Sequence, residues 1–182
     1  MRIIGGEYRS RVLRMPAGIR IRPTQDRVRE AIFNIIREKV PGSVVLDLYA
    51  GSGAFGIEAL SRGAHSAIFI DNNAKCVTTI RSNLSVLAGG VYFSQLIKSD
   101  VVRAISGFKK EGRKFDIIFL DPPYHKEYTR NCLIKIGACD IVAPHGFVIT
   151  EHFKKDTVPD QTGNLTRKRQ RRYGDTVISF YR

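Results

Sequence analysis

Cysteine is scarce, with three in 182 residues: Cys76, Cys132 and Cys139. The number is odd, and the spacing suits neither a disulfide framework nor a zinc ribbon, so no metal site is expected and a reducing cytosol is the natural setting. No apolar run approaches membrane-spanning length, and Met1-Arg-Ile-Ile-Gly-Gly-Glu-Tyr-Arg9 lacks the apolar stretch of a signal peptide. Internal repeats and low-complexity linkers are missing too. Acidic residues are few, 17 against 30 Lys+Arg, leaving a net charge of +13. The hydrophobic share of 43% and the charged share of 26% are otherwise those of a globular domain, which excludes chain-wide disorder.

The excess charge is concentrated at the ends. Residues 1–29 carry eight arginines against Glu7 and Asp26. Residues 165–182 carry Arg167, Lys168, Arg169, Arg171, Arg172 and Arg182 against Asp175, whereas residues 30–164 are nearly neutral. Basic flanks around a neutral middle suggest a core that does chemistry and ends that hold a polyanion. A solubilising surface is the plainer alternative. The N-terminal arginines alternate with Ile3, Ile4, Tyr8, Val12 and Leu13, as in a folded ribbon, and the C-terminal run leads into Thr176–Tyr181, which reads as a strand.

The expected organisation is a small N-terminal extension over residues 1–40, a β-ribbon turned near Gly5-Gly6 plus a helix, followed by a catalytic domain over 41–182. Thr24 is a candidate N-cap, Val28, Ala31, Ile32, Ile35 and Ile36 form an apolar stripe, and Pro41-Gly42 ends the helix. Short apolar runs then alternate with helical patterns. Val44–Leu48, Ala67–Ile70, Val91–Ile97, Phe115–Leu120 and Phe147–Thr150 read as strands, with Arg172–Tyr181 closing the sheet. Continuous apolar strands between helices predict a doubly wound, Rossmann-like α/β fold whose ligands bind at the carboxyl ends of the strands.

Gly51, Gly53 and Gly56 make G-x-G-x-x-G between the first strand and a helix, the context that a nucleotide-binding turn requires. Such a turn brings backbone amides to a ligand without Cβ clashes. Asp71, 20 residues after Gly51, is placed to take the hydroxyls of an adenosine ribose. Asp47 precedes the glycines, where a dinucleotide pyrophosphate would find it unwelcome and an ammonium group would not. It suits the methionine part of S-adenosylmethionine, and bracing the loop is a compatible second role. Asp100 follows the third strand, where it could accept the adenine amino group or cap the next helix.

The fourth strand ends Asp121-Pro122-Pro123-Tyr124, the most specific signal in the chain. The prolines remove donors and stiffen the turn, leaving the Asp121 carboxylate and the Pro122 carbonyl as acceptors aimed at one spot, with the Tyr124 ring beside them. These are the needs of methylating an exocyclic nucleobase amine. Its lone pair is delocalised, and two acceptors on its hydrogens favour a pyramidal nitrogen pointed at the methyl donor. The base must be unpaired or flipped to enter. No dedicated His or Lys base is required, and His125 reads as a loop residue.

Together Arg2-Ile-Ile-Gly-Gly6, Arg22-Pro-Thr-x-Asp-Arg-Val-Arg-Glu30, the segment Asp47–Gly63, Asp121–Tyr124 and Tyr173-Gly-Asp-Thr176 resemble the ribosomal small-subunit methyltransferase D family over nearly the whole chain. The resemblance implies transfer of a methyl group from S-adenosylmethionine to guanine N2 of 16S rRNA in an assembled or assembling small subunit. It implies that Asp47, Gly51, Ser52, Gly53, Asp71 and Asp100 hold the cofactor and that Asp121, Pro122 and Tyr124 hold the base. RNA contacts are expected from Arg11, Arg14, Arg22, Arg27, Arg29, Arg167, Lys168, Arg169, Arg171 and Arg172, although Arg22, Arg27 and Arg29 also suit packing or a helix surface. A monomer without membrane association is expected. The motifs alone leave open adenine N6 or cytosine N4, in RNA or DNA, and a non-catalytic RNA-binding assembly factor. A nicotinamide oxidoreductase would leave Asp121–Tyr124 unexplained.

Overall fold

The branched and aromatic runs of the sequence become strands, and the order of these strands sets everything else. The computed structural model describes residues 1–18, 26–87, 93–123 and 127–182. Arg20, Arg22, the proposed Thr24 cap, Tyr124 and His125 lie outside them. The elements are α1 (Asp26–Ile35), β1 (Val44–Leu48), α2 (Ala54–Ser61), β2 (Ser66–Asp71), α3 (Ala74–Leu84), β3 (Phe93–Lys98), α4 (Val101–Lys110), β4 (Phe115–Leu120), α5 (Tyr128–Cys139), β5 (Val142–Phe153), β6 (Gln161–Thr162), β7 (Leu165–Tyr173) and β8 (Thr176–Tyr181). The sheet order is β3-β2-β1-β4-β5-β8-β7-β6. β1 to β5 pair in parallel, while β8 runs antiparallel between β5 and β7.

Both faces of the sheet are covered, as continuous apolar strands demand. On one face Val45, Phe69, Ile117, Phe119, Ile149, Ile178 and Phe180 meet α1, α2, α3 and the N-terminal residues Ile3, Tyr8 and Leu13. On the other, Leu46, Leu48, Ile68, Ile118, Val148 and Tyr181 meet α4 and α5 through Ile105, Phe108, Leu133 and Ile136. The expected doubly wound fold is present. Several boundaries shift. β5 extends on both sides of Phe147–Thr150: Val142 already pairs with Phe115 of β4, and the polar Glu151 and His152 are buried in the pairing with β8. The basic run itself is a strand, β7, which the hydrophobic pattern hides because both faces are open along 168–172.

Two N-terminal expectations need correction. The ribbon reduces to one antiparallel bridge, Arg2 with Val12. The ladder goes no further because the Ile4 and Gly5 amides donate instead to Glu58 of α2, at 2.7 and 2.8 Å, and the Glu7 amide donates to the Ser61 carbonyl. Arg29, expected on RNA, is fully buried. The buried apolar face of α1 is Val28, Ile32 and Phe33, continued by Ile36 just beyond it, and Arg29 sits within it. Its Nη2 donates to the Arg2 carbonyl and to Asp26, and its Nε lies 3.7 Å from Glu58 Oε2. Burial pulls the Arg29 pKa down, and Glu58 and Asp26 oppose that pull. Glu58 also takes Arg62 Nε at 2.7 Å. One buried carboxylate therefore joins α1, α2 and the N-terminal segment.

Removing one partner from a buried ion pair typically costs about 3–5 kcal/mol, because the other charge stays uncompensated. Arg29→Ala is expected to lower stability by that amount in urea denaturation. Arg27→Ala, at an exposed position two residues away, should change it by less than about 0.5 kcal/mol.

Candidate active site

Strand order reverses between β1 and β4, and a parallel sheet opens a crevice at the carboxyl ends of its strands at such a point. The residues after these two strands are the glycine turn and Asp121-Pro122-Pro123. The strands are in register, Leu48 beside Leu120, and the Asp121 amide donates to the Leu48 carbonyl at 3.5 Å. The topology thus brings the two motifs, 70 residues apart in sequence, together at one end of the sheet.

Two carboxylates brace the glycine turn. Asp47, the penultimate residue of β1, is buried and accepts the Gly56 amide at 2.9 Å. Asp71 at the end of β2 accepts the Gly51 amide at 2.9 Å and the Asn73 amide at 2.8 Å. Gly53 has a φ of 78°, a conformation that side chains resist. A Cβ on Gly56 would meet the Phe69 ring at 2.3 Å, so this glycine lets α2 lie close on β2. The loop's third brace went unnoticed in the sequence. Asn83 sits in the apolar face of α3 and is buried, donating to the Ser52 carbonyl at 2.8 Å and accepting the Arg14 amide at 2.8 Å. An amide in a row with Cys76, Val77 and Ile80 was its only signal.

Burial pushes the Asp47 carboxyl up to about 8, with the Asp71 charge adding and the Gly56 amide opposing. An isolated carboxylate there is costly, and a cation laid against it would relieve the cost. Beside Asp71 the Cys76 thiol is pushed up to about 12, chiefly by burial and then by Asp71, so it stays neutral. Asp100 is exposed and accepts the Arg103 amide at 3.0 Å; the capping role is present, and its second oxygen has no part in that bond.

A second unforeseen residue is Tyr49, which carries the chain from β1 into the turn with a φ of 58°. This left-handed conformation is unusual for an aromatic residue. It places the ring 6.1 Å from that of Tyr128 at the start of α5, and the hydroxyl 3.4 Å from Cys132 Sγ. Tyr49 thus links the glycine turn to the element that follows Asp121–Pro123. Pro122 is buried and Pro123 exposed. Pro123 borders a cavity of about 550 Å³, shared with Tyr128, Arg130, Phe153 and Lys155. Among the described residues no cluster of His, Cys, Asp or Glu could hold a metal.

The expected RNA contacts divide by environment. Arg11 and Arg14 are exposed but engaged. Arg11 lies 4.5 Å over the Tyr8 ring and donates to the Val86 carbonyl, and Arg14 reaches Ser82 Oγ at 3.4 Å. Arg167 pairs with Asp160, and Arg172 Nε donates to the Gly174 carbonyl at 2.9 Å. Arg27, Lys168, Arg169 and Arg171 are exposed.

The whole chain, residues 1–182, matches the family model described as Conserved hypothetical protein 95. It is 38% identical to a putative rRNA methyltransferase YlbH of Bacillus subtilis, over 100% of this chain and 98% of that protein. It is 30% identical to the ribosomal RNA small subunit methyltransferase D of Escherichia coli K12, over 100% of this chain and 89% of that protein. A solved structure, the putative methyltransferase yhhF from Escherichia coli, superposes with a TM-score of 0.84 at 30% identity, covering 100% of this chain and 96% of the other. With a crevice that sets a braced glycine turn beside Asp121-Pro122-Pro123, and with this likeness along its full length, the chain belongs to the ribosomal small-subunit methyltransferase D family of class I methyltransferases.

Proposed function

We propose that this methyltransferase uses S-adenosylmethionine to methylate the exocyclic N2 of a guanine in small-subunit ribosomal RNA. The observation that carries the reading is the adjacency of Asp121 to Leu48 across the switch point, which puts an amine-gripping motif next to a nucleotide-binding turn. The donor set fits the cofactor. Asp47 offers a buried negative charge to an ammonium group, Gly51 and Gly53 leave the backbone open to close approach, and Asp71 and Asp100 have acceptor capacity left for ribose hydroxyls and an adenine amine. When bound, S-adenosylmethionine supplies an electrophilic methyl group on a sulfonium.

The chain's own residues supply orientation. Asp121 and the Pro122 carbonyl accept the two amine hydrogens of an extruded base and turn the nitrogen lone pair towards the cofactor side of the crevice. Tyr124 offers its ring to the face of the base. The exposed cations at the chain ends hold phosphates, which is the work assigned to the extension over residues 1–40 and to the C-terminal strands.

Asp121→Ala should cut methyl transfer by roughly 100-fold or more, because orientation is lost. Cofactor affinity, read by calorimetry, should remain close to wild type. The activity itself is tested by incubating unmodified 16S rRNA and small subunits with labelled donor, followed by nucleoside mass spectrometry. N2-methylguanosine is the expected product; label in adenine or cytosine, or none at all, would overturn the assignment.

Asp47 gives a pH signature. Its folded-state pKa of about 8 lies well above that of an ordinary carboxylate, so its contribution to stability is full below about pH 4 and is lost as pH rises towards 8. Asp47→Asn should flatten that loss in denaturation series between pH 5 and 8, while weakening S-adenosylmethionine binding. With wild type near pH 7, cofactor binding should release up to about one proton, seen as a buffer-dependent calorimetric enthalpy.

A further inference from the structure

The basic run near the C-terminus is a strand, and a strand sorts its side chains onto two faces. In β7, Arg169 pairs with Phe180, Arg171 with Ile178 and Tyr173 with Thr176. Directly opposed residues share a face. Phe180 and Ile178 belong to the cluster that packs under α1 and α2, and Tyr173 packs against it. Arg169 and Arg171 therefore stand on the α1 face. Gln170 and Arg172, paired with Ser179 and Val177, stand on the opposite face. Gln170 Nε2 is bonded there to Ser179 Oγ at 3.1 Å, and Arg172 turns back to the Gly174 carbonyl. Arg169 and Arg171 form no ion pair or side-chain hydrogen bond among the described residues.

These two arginines also lie at the right end of the molecule. β7 and β5 both run antiparallel to β8, so Tyr173 finishes where the parallel strands finish. Thr176 is opposite both Tyr173 and Phe153, and Phe153 shares a cavity with Pro123. Three strand spacings separate β4 from β7, about 14 Å. Arg171 and Arg169 follow below Tyr173 at steps of about 6.8 Å, spaced for neighbouring phosphates of one strand. From the other side, α1 descends towards the Pro41-Gly42 turn that feeds the foot of β1, so its first turn lies towards the acceptor end. Arg29 and Phe33 turn to α2, which leaves Arg27 on the flank away from it.

We infer that Arg27, Arg169 and Arg171 form one phosphate-binding track on the α1 face, along which the RNA strand flanking the target base runs from the β7 edge to Asp121–Pro123. The inference rests on the RNA-methyltransferase reading and adds the path of the substrate. Guanidinium groups suit it, since each can take a phosphate through two hydrogen bonds. Arg11 and Arg14, bound to the α3 side of the N-terminal segment, lie off this path.

Binding of in vitro transcribed 16S rRNA is measured by filter retention from 50 to 200 mM salt. Arg169→Ala with Arg171→Ala should weaken binding and reduce the slope of log K against log salt by about 1.4, and Arg27→Ala by about 0.7. The pair Lys109→Ala, Lys110→Ala, at the foot of α4, should leave the slope within error, and Arg172→Ala, on the opposite face of β7, should reduce it by less than Arg171→Ala does. A loss from Arg172→Ala equal to that from Arg171→Ala would overturn the division by face. So would an unchanged slope in the β7 double variant, including the case where only its solubility falls, which would assign these charges to protection of the sheet edge. Methyl transfer by the wild type is followed in parallel. A chain that binds RNA through these three arginines yet methylates none keeps the track and refutes the activity.

Discussion

The site depends on carboxylates that hold backbone amides in place. Asp47 on Gly56 and Asp71 on Gly51 fix both ends of the glycine turn, and Asn83 fixes its middle through Ser52. A turn with left-handed residues at 49, 51 and 53 has little stability of its own, so its shape must be imposed by the strands and helices around it. The same device recurs one layer out. Glu58 takes the amides of Ile4 and Gly5 and the guanidinium of Arg62, with Arg29 beside it. All eight residues of α2 are buried, because the sheet covers one side of the helix and the N-terminal segment the other. The extension is thus as much a structural cover for the helix behind the glycine turn as a basic surface.

Preorganisation of this kind is what the proposed alkyl transfer needs, since on that reading the reaction asks for geometry rather than for a strong base. Asp121 and Pro122 leave β4 level with the turn that leaves β1, and the parallel register holds the two exits side by side. Tyr49 reinforces the arrangement, since its left-handed backbone sets one side chain against both Tyr128 and Cys132 of α5. Burial raises the Tyr49 pKa, so its hydroxyl remains a neutral partner.

What the sequence revealed follows burial. β1, β4 and β8 begin and end where their apolar runs do, because strands covered on both faces tolerate little else. The glycine turn and the Asp-Pro-Pro segment were visible because their backbone demands limit the residues that can serve. Arg29 was misread because an arginine in a basic segment looks solvated, and its buried partner Glu58 lies 29 residues away. β7 was not recognised as a strand for the opposite reason: along 168–172 neither face is buried, so no alternation survives. Tyr49 and Asn83 act through tertiary neighbours that local pattern does not encode.

One feature of the packing bears on how such a chain matures. Ile3, near the start, and Ile178 and Phe180, near the end, belong to the same hydrophobic cluster. β8 pairs with β5 and β7, so this face of the sheet stays incomplete until Thr176–Tyr181 are available. Contacts that join distant stretches of chain are slow to form, and their apolar partners stay exposed in the meantime. During synthesis the cover over α2 would have its anchor before its full floor, which has to wait until β8 has left the ribosome.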